Sequence, residues 1–294
     1  MNKLSIQWQI GNECNFKCNY CHPDCYDGSN KFIDYDKFQK GFDNLQASVD
    51  SYDLIEIEFQ GGEPTVSQAI RDKLSSDTDL RYRYILTTNA SAPLDWWVKA
   101  APNFNHVTLA WHIDSVGTQF NHFHNVVNIL QEQGTSFSIV VNAPNDQLTW
   151  DTAKAVYERY LSLGISSQFK ALYTNYQRGN NQFMPYTEEQ WEYYTRVNNI
   201  QPPKEEPVET QIEWVEQRLY NNYKGHLCWA GVNQMVINYF GFAHRGWCQS
   251  NDSFGNVYEQ SLVLDAKPRV CPKDLCKNLF DQRALKSENS WGFA

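Results

Sequence analysis

No stretch of this 294-residue chain approaches the roughly 20 consecutive apolar residues that a membrane-spanning helix needs. The start does not read as a signal peptide: Met1-Asn2-Lys3-Leu4 leads directly into alternating Leu4, Ile6, Trp8 and Ile10, the pattern of a strand rather than of a continuous apolar export segment. No run of lysine and arginine stands out. Basic residues number 25 against 34 acidic ones, a net charge of −9, so a phosphate-backbone footprint is lacking and nucleic acid is excluded as the main partner. Internal repeats and low-complexity segments are absent as well. The composition, 41% apolar and 20% charged, is that of a folded chain with a sizeable core, and its length suits one large domain or two ordinary ones. A cytoplasmic protein with no membrane partner is expected.

Cysteine is missing from the long middle of the chain. Cys14, Cys18, Cys21 and Cys25 lie near the start; Cys228, Cys248, Cys271 and Cys276 lie near the end. Eight cysteines would suit four disulfides in an exported protein, but without an export signal metal or catalytic roles are favoured.

Strand patterns fall at 4–10, 54–59, 82–87, 106–112, 136–141 and 167–173, with amphipathic helices between them. Phe38, Phe42 and Leu45 share a helix face, as do Val66, Ile70 and Leu74, and Phe123, Val126, Val127 and Leu130. A further helix carries Ala153, Val156, Tyr157, Tyr160 and Leu161, with Thr149 or Asp151 as its cap; Gly134 and Gly164 mark helix stops. Repeated strand–helix alternation implies parallel strands with right-handed crossovers, hence an incomplete barrel, with a doubly wound sheet as the alternative. Residues 186–223 read as helices with Trp191, Tyr194, Ile212, Val215 and Leu219 at helical spacing, broken by Pro202-Pro203 and Pro207. From Cys228 onward the pattern dissolves into short apolar pieces, glycines and cysteines. That segment is expected to need metal to fold. The expected division is 1–180, 181–227 and 228–294.

Cys14-Asn-Phe-Lys-Cys18-Asn-Tyr-Cys21 places three thiols within eight residues, directly after the first strand. Such a loop can wrap one inorganic cluster; structural zinc completed by His22 or Cys25 is the plainer alternative. Phe59-Gln60-Gly61-Gly62-Glu63-Pro64 follows the second strand. Its glycines allow a close approach of the backbone to a ligand and its carboxylate can hold an ammonium group, although the string also reads as an ordinary turn with Pro64 opening a helix. Parallel barrels gather functional groups at the carboxyl ends of their strands. The candidates sit there: Cys14–Cys21, Gly61–Glu63, Thr88-Asn89, His112 with Asp114, Asn142, and the loop 174–182.

The C-x3-C-x2-C loop with Tyr20 before its last cysteine, together with Gly-Gly-Glu-Pro, resembles the radical S-adenosylmethionine (radical SAM) superfamily over about residues 4–175. The resemblance implies an α/β fold, a partial (β/α)6 TIM-like barrel, with a [4Fe-4S] cluster on Cys14, Cys18 and Cys21. S-adenosylmethionine is then the cofactor, its methionine end at Gln60, Gly61, Gly62 and Glu63, with Tyr20 by its adenine. Asn89 in Thr-Thr-Asn-Ala is similar to the superfamily's Thr-Asn-Gly strand end. Trp111-His112-Ile113-Asp114 is similar to the Ser-Leu/Ile-Asp-Gly element of its peptide-modifying members, with His112 in place of serine and Ser115 in place of glycine. Asn89 and Asn142 are equally readable as loop caps, and His112 as a satisfied core histidine.

Cys228-Trp-Ala-Gly231, Cys248, Gly255-Asn256-Val257 and Cys271-Pro-Lys-Asp-Leu-Cys276 resemble the SPASM/twitch extensions of radical SAM maturases. Four cysteines instead of seven imply one auxiliary [4Fe-4S] cluster in a small C-terminal Cys-rich iron–sulfur domain; a four-cysteine zinc ribbon is the alternative. Cys25 is taken as a spectator. The resemblance implies a maturase acting on a peptide or protein side chain, similar to anaerobic sulfatase maturases, with Asp114 as acid/base residue and a flavodoxin or ferredoxin as electron donor. With three residues before the first strand, no leader-binding domain is expected there, and the 186–223 helices would meet the substrate. A radical enzyme for a small molecule is the first rival, favoured by the short chain; a metal-stabilised binding protein is the second. Trp96, Trp97, Trp191, Trp214, Trp229 and Trp247 are read mainly as packing.

Overall fold

The computed structural model describes residues 2–18, 20–21, 26–77, 79–113, 120–174, 182–203, 206–218, 221–249 and 253–287. Six strands alternate with helices over the first 171 residues: β1 (Lys3–Gln9), α1 (Tyr35–Ser48), β2 (Leu54–Gln60), α2 (Gln68–Ser76), β3 (Tyr82–Thr88), α3 (Leu94–Ala100), β4 (Phe104–Trp111), α4 (Phe120–Glu132), β5 (Phe137–Ala143), α5 (Gln147–Ser162) and β6 (Ser167–Ala171). Each strand from β1 to β6 lies parallel to the next in sequential order. A doubly wound sheet reverses its strand order at a switch point. This one does not, and its order is that of an opened barrel.

The two faces of these strands differ sharply. Trp8 stacks near Phe38 of α1 with ring centroids 5.6 Å apart, and Phe169 meets Trp150 of α5 at 4.9 Å, so the bulky residues point outward to the helices. Period-two alternation then turns Gln7, Gln9, Glu56, Glu58, Gln60, Gln168 and Lys170 to the inner face. The lumen is polar.

Helix ends follow local chemistry. Asp34 and Ser67 cap α1 and α2, and Asp146, rather than Thr149 or Asp151, caps α5 by accepting from Thr149 N–H at 3.1 Å. The acceptor must precede the first turn, which leaves Thr149 as the donor. Gly134 and Gly164 have φ of 68° and 72°, the left-handed geometry of helix stops. After β6 come α6 (Glu188–Val197), closed by a Thr187–Gln190 capping box, and α7 (Val208–Arg218), with the proline-containing break between them. Leu219 lies outside the described residues.

The remaining elements are β7 (Leu227–Cys228), β8 (Gln234–Ile237), β9 (Phe242–His244), β10 (Gly255–Asn256), β11 (Arg269–Val270), α8 (Leu279–Arg283) and β12 (Lys286–Ser287). β8 runs parallel to β1 on the side away from β2, and β9 and β10 continue antiparallel, making a nine-stranded sheet. Residues 232–249 and 253–262 are further bound to the barrel. Tyr258 hydroxyl accepts from Trp8 Nε1 at 3.2 Å, Asn44 donates to Val257 O at 2.8 Å, and Tyr52 donates to Val232 O at 2.6 Å. These hydrogen bonds tie the stretch to β1, α1 and the turn after α1. A separate sheet, β11-β7-β12, carries the cysteine-rich remainder. Among the described residues no helix is long and apolar enough to cross a membrane.

Candidate active site

The loop after β1 is pinned before its first cysteine. Asn12 N–H donates to Asn30 O at 2.8 Å, and Asn30 N–H donates to Asn12 Oδ1 at 2.9 Å. Glu13 accepts from Phe32 N–H at 2.9 Å through its carboxylate. Beyond this brace, Cys21 N–H donates to Cys18 O at 3.1 Å, and Phe16 N–H donates to Cys14 Sγ at 3.3 Å. Burial pushes the Cys14 thiol up to about 12. A thiolate there requires a cationic ligand beside it.

The Gly-Gly-Glu turn after β2 lies directly on that loop. A Cβ at Gly62 would stand 2.3 Å from Glu13 O, and one at Gly61 2.6 Å from Gly11 O. Glu63 N–H donates to Glu13 O at 2.8 Å. The close approach that these glycines permit is to the backbone of the cysteine loop itself. Glu63 is 2% exposed and turns inward. Its Oε1 accepts from Thr65 N–H (3.0 Å), Thr65 Oγ1 (2.6 Å) and Thr88 Oγ1 (2.8 Å), and its Oε2 from Asn89 N–H (2.7 Å). Desolvation raises its carboxyl above the usual range while these donors pull it back. Pro64 opens a single 3₁₀ turn, Pro64–Val66, with Glu63 as its cap. Asn89 extends the network: its Nδ2 donates to Asn15 Oδ1 at 3.0 Å, inside the cysteine loop.

His112 follows β4. Its Nδ1 is 2.8 Å from the Tyr20 hydroxyl and 3.5 Å from Asn142 Nδ2, while Asn142 also donates to Trp111 O at 3.0 Å. The Tyr20 and His112 rings lie 5.9 Å apart and 11° from parallel. Burial, and secondarily the charge of Lys170, depress the imidazole to about 4. It is neutral at pH 7, with Nδ1 engaged by the Tyr20 hydroxyl.

Cys14, Cys18, Cys21, Glu63, Asn89 and His112 wall one cleft of about 340 Å³, together with Gln60, Gly61 and Gly62. Tyr20 and Asn142 reach it through His112. Asp114, Ser115, Cys25, His22 and residues 175–181 lie outside the described residues. Three participants escaped sequence reading. Lys170 is the register partner of Asn142, and its ammonium sits close enough to Cys21 and His112 to perturb or be perturbed by each. Among the described residues no carboxylate pairs with it. Glu58 lines the cleft and accepts from Gln7 Nε2 at 2.7 Å; Gln7 Oε1 in turn accepts from Trp247 Nε1 at 2.6 Å, beside Cys248. Asn15 is the third. Alternation along β2 and β6 placed Glu58 and Lys170 on the polar face, but nothing in it said that the face encloses a site.

The C-terminal cysteines form a second wall. Cys228, Cys248, Cys271 and Cys276 line one small cavity. Cys228 lies in β7, Cys271 N–H donates to His226 O at 2.8 Å, and Cys276 N–H donates to Asn221 O at 2.7 Å. Buried Asp281 holds the fourth: its carboxylate accepts from Trp247 N–H at 2.9 Å and Cys248 N–H at 2.8 Å. Burial pushes the Cys276 thiol up to about 12. Among the described residues, no three His, Cys, Asp or Glu side chains converge on a point as one metal ion requires.

No family model matches the chain, and no curated protein is significantly similar to it in sequence. Solved structures are similar in fold. The anaerobic sulfatase maturase anSMEcpe with bound AdoMet (S-adenosylmethionine) aligns over 88% of this chain and 79% of its own, at 15% identity and a TM-score of 0.55. SuiB from Streptococcus suis bound to the precursor peptide SuiA aligns over 89% of this chain and 64% of its own, at 16% identity and a TM-score of 0.54. The anSMEcpe complex with AdoMet and the Kp18Cys peptide gives 16% identity and a TM-score of 0.54, over 88% of this chain and 79% of its own.

Proposed function

We propose that this chain, which has the fold of radical SAM enzymes, is itself one. In this reading Cys14, Cys18 and Cys21 hold a [4Fe-4S] cluster, the adjoining cleft takes S-adenosylmethionine, and the substrate is a side chain of a peptide or protein. The observation that carries it is one cleft shared by three cysteines and the Gly-Gly-Glu turn, at the carboxyl ends of sequential parallel strands. The donor set fits the group: three thiols from one loop leave an iron open to a ligand, and burial that raises the Cys14 thiol favours its thiolate only beside a cationic cluster core. When bound, the cluster supplies the electron that cleaves S-adenosylmethionine to methionine and a hydrogen-abstracting 5′-deoxyadenosyl radical.

The chain's own residues do the positioning. Glu63 ties the turn to Thr88-Asn89, and Asn89 ties that strand end to Asn15, so the wall carrying Gly61 and Gly62 is rigid before any ligand arrives. Gln60 and His112 line the cleft, with the His112 imidazole neutral at pH 7. Lys170 supplies the positive charge that a carboxylate needs. Cys228, Cys248, Cys271 and Cys276 offer four thiols to one auxiliary [4Fe-4S] cluster in a C-terminal Cys-rich unit, in the proposed division 1–180, 181–227 and 228–294. Asp114 is kept as the acid/base residue. A peptide substrate is supported by the peptides that anSMEcpe and SuiB carry, and in this reading the protein is cytoplasmic and supplied with electrons by flavodoxin or ferredoxin.

Anaerobic reconstitution with iron and sulfide analysis, followed by chromatography for 5′-deoxyadenosine, tests the reading. About eight iron and eight sulfide per chain with nucleoside formed under dithionite is expected; zinc alone, or no nucleoside, overturns it.

A further inference from the structure

The segment from Lys267 to Lys286 runs against the charge of the rest of the chain. It carries six basic and two acidic residues in a protein of net charge −9. Lys267, Arg269 and Lys273 are exposed, and Val270 and Leu275 between them are 49% and 48% exposed. Arg269, Val270, Lys273 and Leu275 are at the same time walls of the cavity that the four C-terminal cysteines line, so that cavity opens beneath an apolar patch with a basic border. Local carboxylates do not cancel the border. Asp274 is taken by Lys224 at 2.7 Å, Asp265 is shared between Arg269 at 2.6 Å and buried Arg245, and among the described residues no carboxylate pairs with Lys267 or Lys273.

We propose that this face docks a small acidic one-electron carrier protein, of the flavodoxin or ferredoxin type, directly over the C-terminal cysteine site. The inference rests on reading those cysteines as the ligands of a redox cluster. One electron leaves the reduced carrier and enters that cluster; no bond forms or breaks. A polyanion such as nucleic acid would need a continuous basic surface, whereas apolar side chains ringed by charge are the make-up of a protein interface. A peptide substrate is served by the other cleft. Transient electron-transfer encounters bury less than about 1,200 Å² in total, which a patch of this kind can supply, and charge at the rim steers association.

The test measures binding first, on the full chain loaded anaerobically, with an acidic flavodoxin and a ferredoxin as probes. Lys267→Glu/Lys273→Glu is expected to raise the flavodoxin or ferredoxin Kd at least tenfold at about 50 mM salt, with the difference shrinking at about 500 mM as the charges are screened. Leu275→Ser is expected to weaken binding at both. Iron content and circular dichroism confirm that the variants are folded and loaded. In the same variants, carrier-driven cleavage of S-adenosylmethionine falls relative to dithionite-driven cleavage. An unchanged Kd, no binding of either carrier by the unsubstituted protein, or an oligothymidylate that binds this face with the same dependence on Lys267 and Lys273 overturns the docking proposal. Absence of dithionite-driven cleavage strikes the radical SAM reading instead, and the binding titration keeps the two failures apart.

Discussion

Replacing Glu63 by alanine separates a ligand-binding carboxylate from one that holds the site together. The carboxylate is 2% exposed and accepts two backbone and two hydroxyl hydrogen bonds. After Glu63→Ala the hydroxyls can turn elsewhere; Thr88 Oγ1 already accepts from Ala90 N–H at 3.1 Å. The N–H groups of Thr65 and Asn89 cannot turn. Each buried orphan costs about 1–3 kcal/mol, so the variant should lose about 2–6 kcal/mol, a large share of the 5–15 kcal/mol typical of a domain. Relief of the buried charge offsets part of this and places the expected value toward the lower end. Urea unfolding of the metal-free protein reads the loss as a lower midpoint at unchanged slope, and hydrogen exchange should show Asn89 N–H opening first. Because Asn89 braces Asn15, iron retention by the N-terminal loop should fall as well. An unchanged midpoint with weakened S-adenosylmethionine binding would refute the bracing argument and return Glu63 to the role of a ligand contact alone.

Gly62→Ala should be as damaging without removing any polar group, because its Cβ would overlap Glu13 O; loss of iron from the N-terminal site at a retained circular dichroism spectrum checks it. Lys170→Met should raise the melting temperature of the ligand-free protein, because desolvation disfavours the ammonium, yet weaken S-adenosylmethionine binding; a lowered melting temperature would show that the ammonium is already satisfied. His112 is depressed from 6.5 to about 4. Its contribution is therefore present above pH 6.5 and lost as pH falls toward 4, a difference of about 3 kcal/mol that His112→Asn should abolish in urea titrations of the metal-free protein. Cys271→Ala/Cys276→Ala should make residues 263–287 sensitive to protease while 232–249 and 253–262 stay protected by β1 and α1; cleavage throughout 228–294 would contradict the contacts of Tyr258 and Val257.

The β1–β6 succession, the two cysteine groups and most of the helix faces were readable directly because they rest on local periodicity; Val66, in the turn before α2, and Leu161, on the outer side of α5, are exposed instead. Strands with one face to helices alternate, and helices with one face to a sheet repeat near 3.6 residues. Placing Cys14–Cys21, Gly61–Glu63, Asn89 and His112 on one rim followed from the same pattern, since every parallel strand with a following helix ends on the same side. The caps were less legible: Asp146 and Thr149 both suit a helix start, and only the backbone geometry distinguishes acceptor from donor.

What tertiary structure alone decided has a common cause, which is that the partners are far apart in the chain. The four residues of β8 are all buried, so they show no alternation, and only pairing with β1 makes them a strand. Strands of two residues such as β7, β11 and β12 carry no period at all. Gly62 reads as room for a ligand until Glu13 is found against it, and Glu63 as a free carboxylate until Thr88 and Asn89 are found around it. Lys170 and Glu58 read as ordinary polar residues of half-exposed strands; only the assembled sheet brings Lys170 close to Cys21 and His112, where desolvation lowers its pKa, and Glu58 to the wall of the cleft. Residue types and spacing determined which chemistry this chain can carry, whereas desolvation and long-range hydrogen bonds, which exist only once the strands are assembled, determined which side chains hold the site and which are left to meet a substrate.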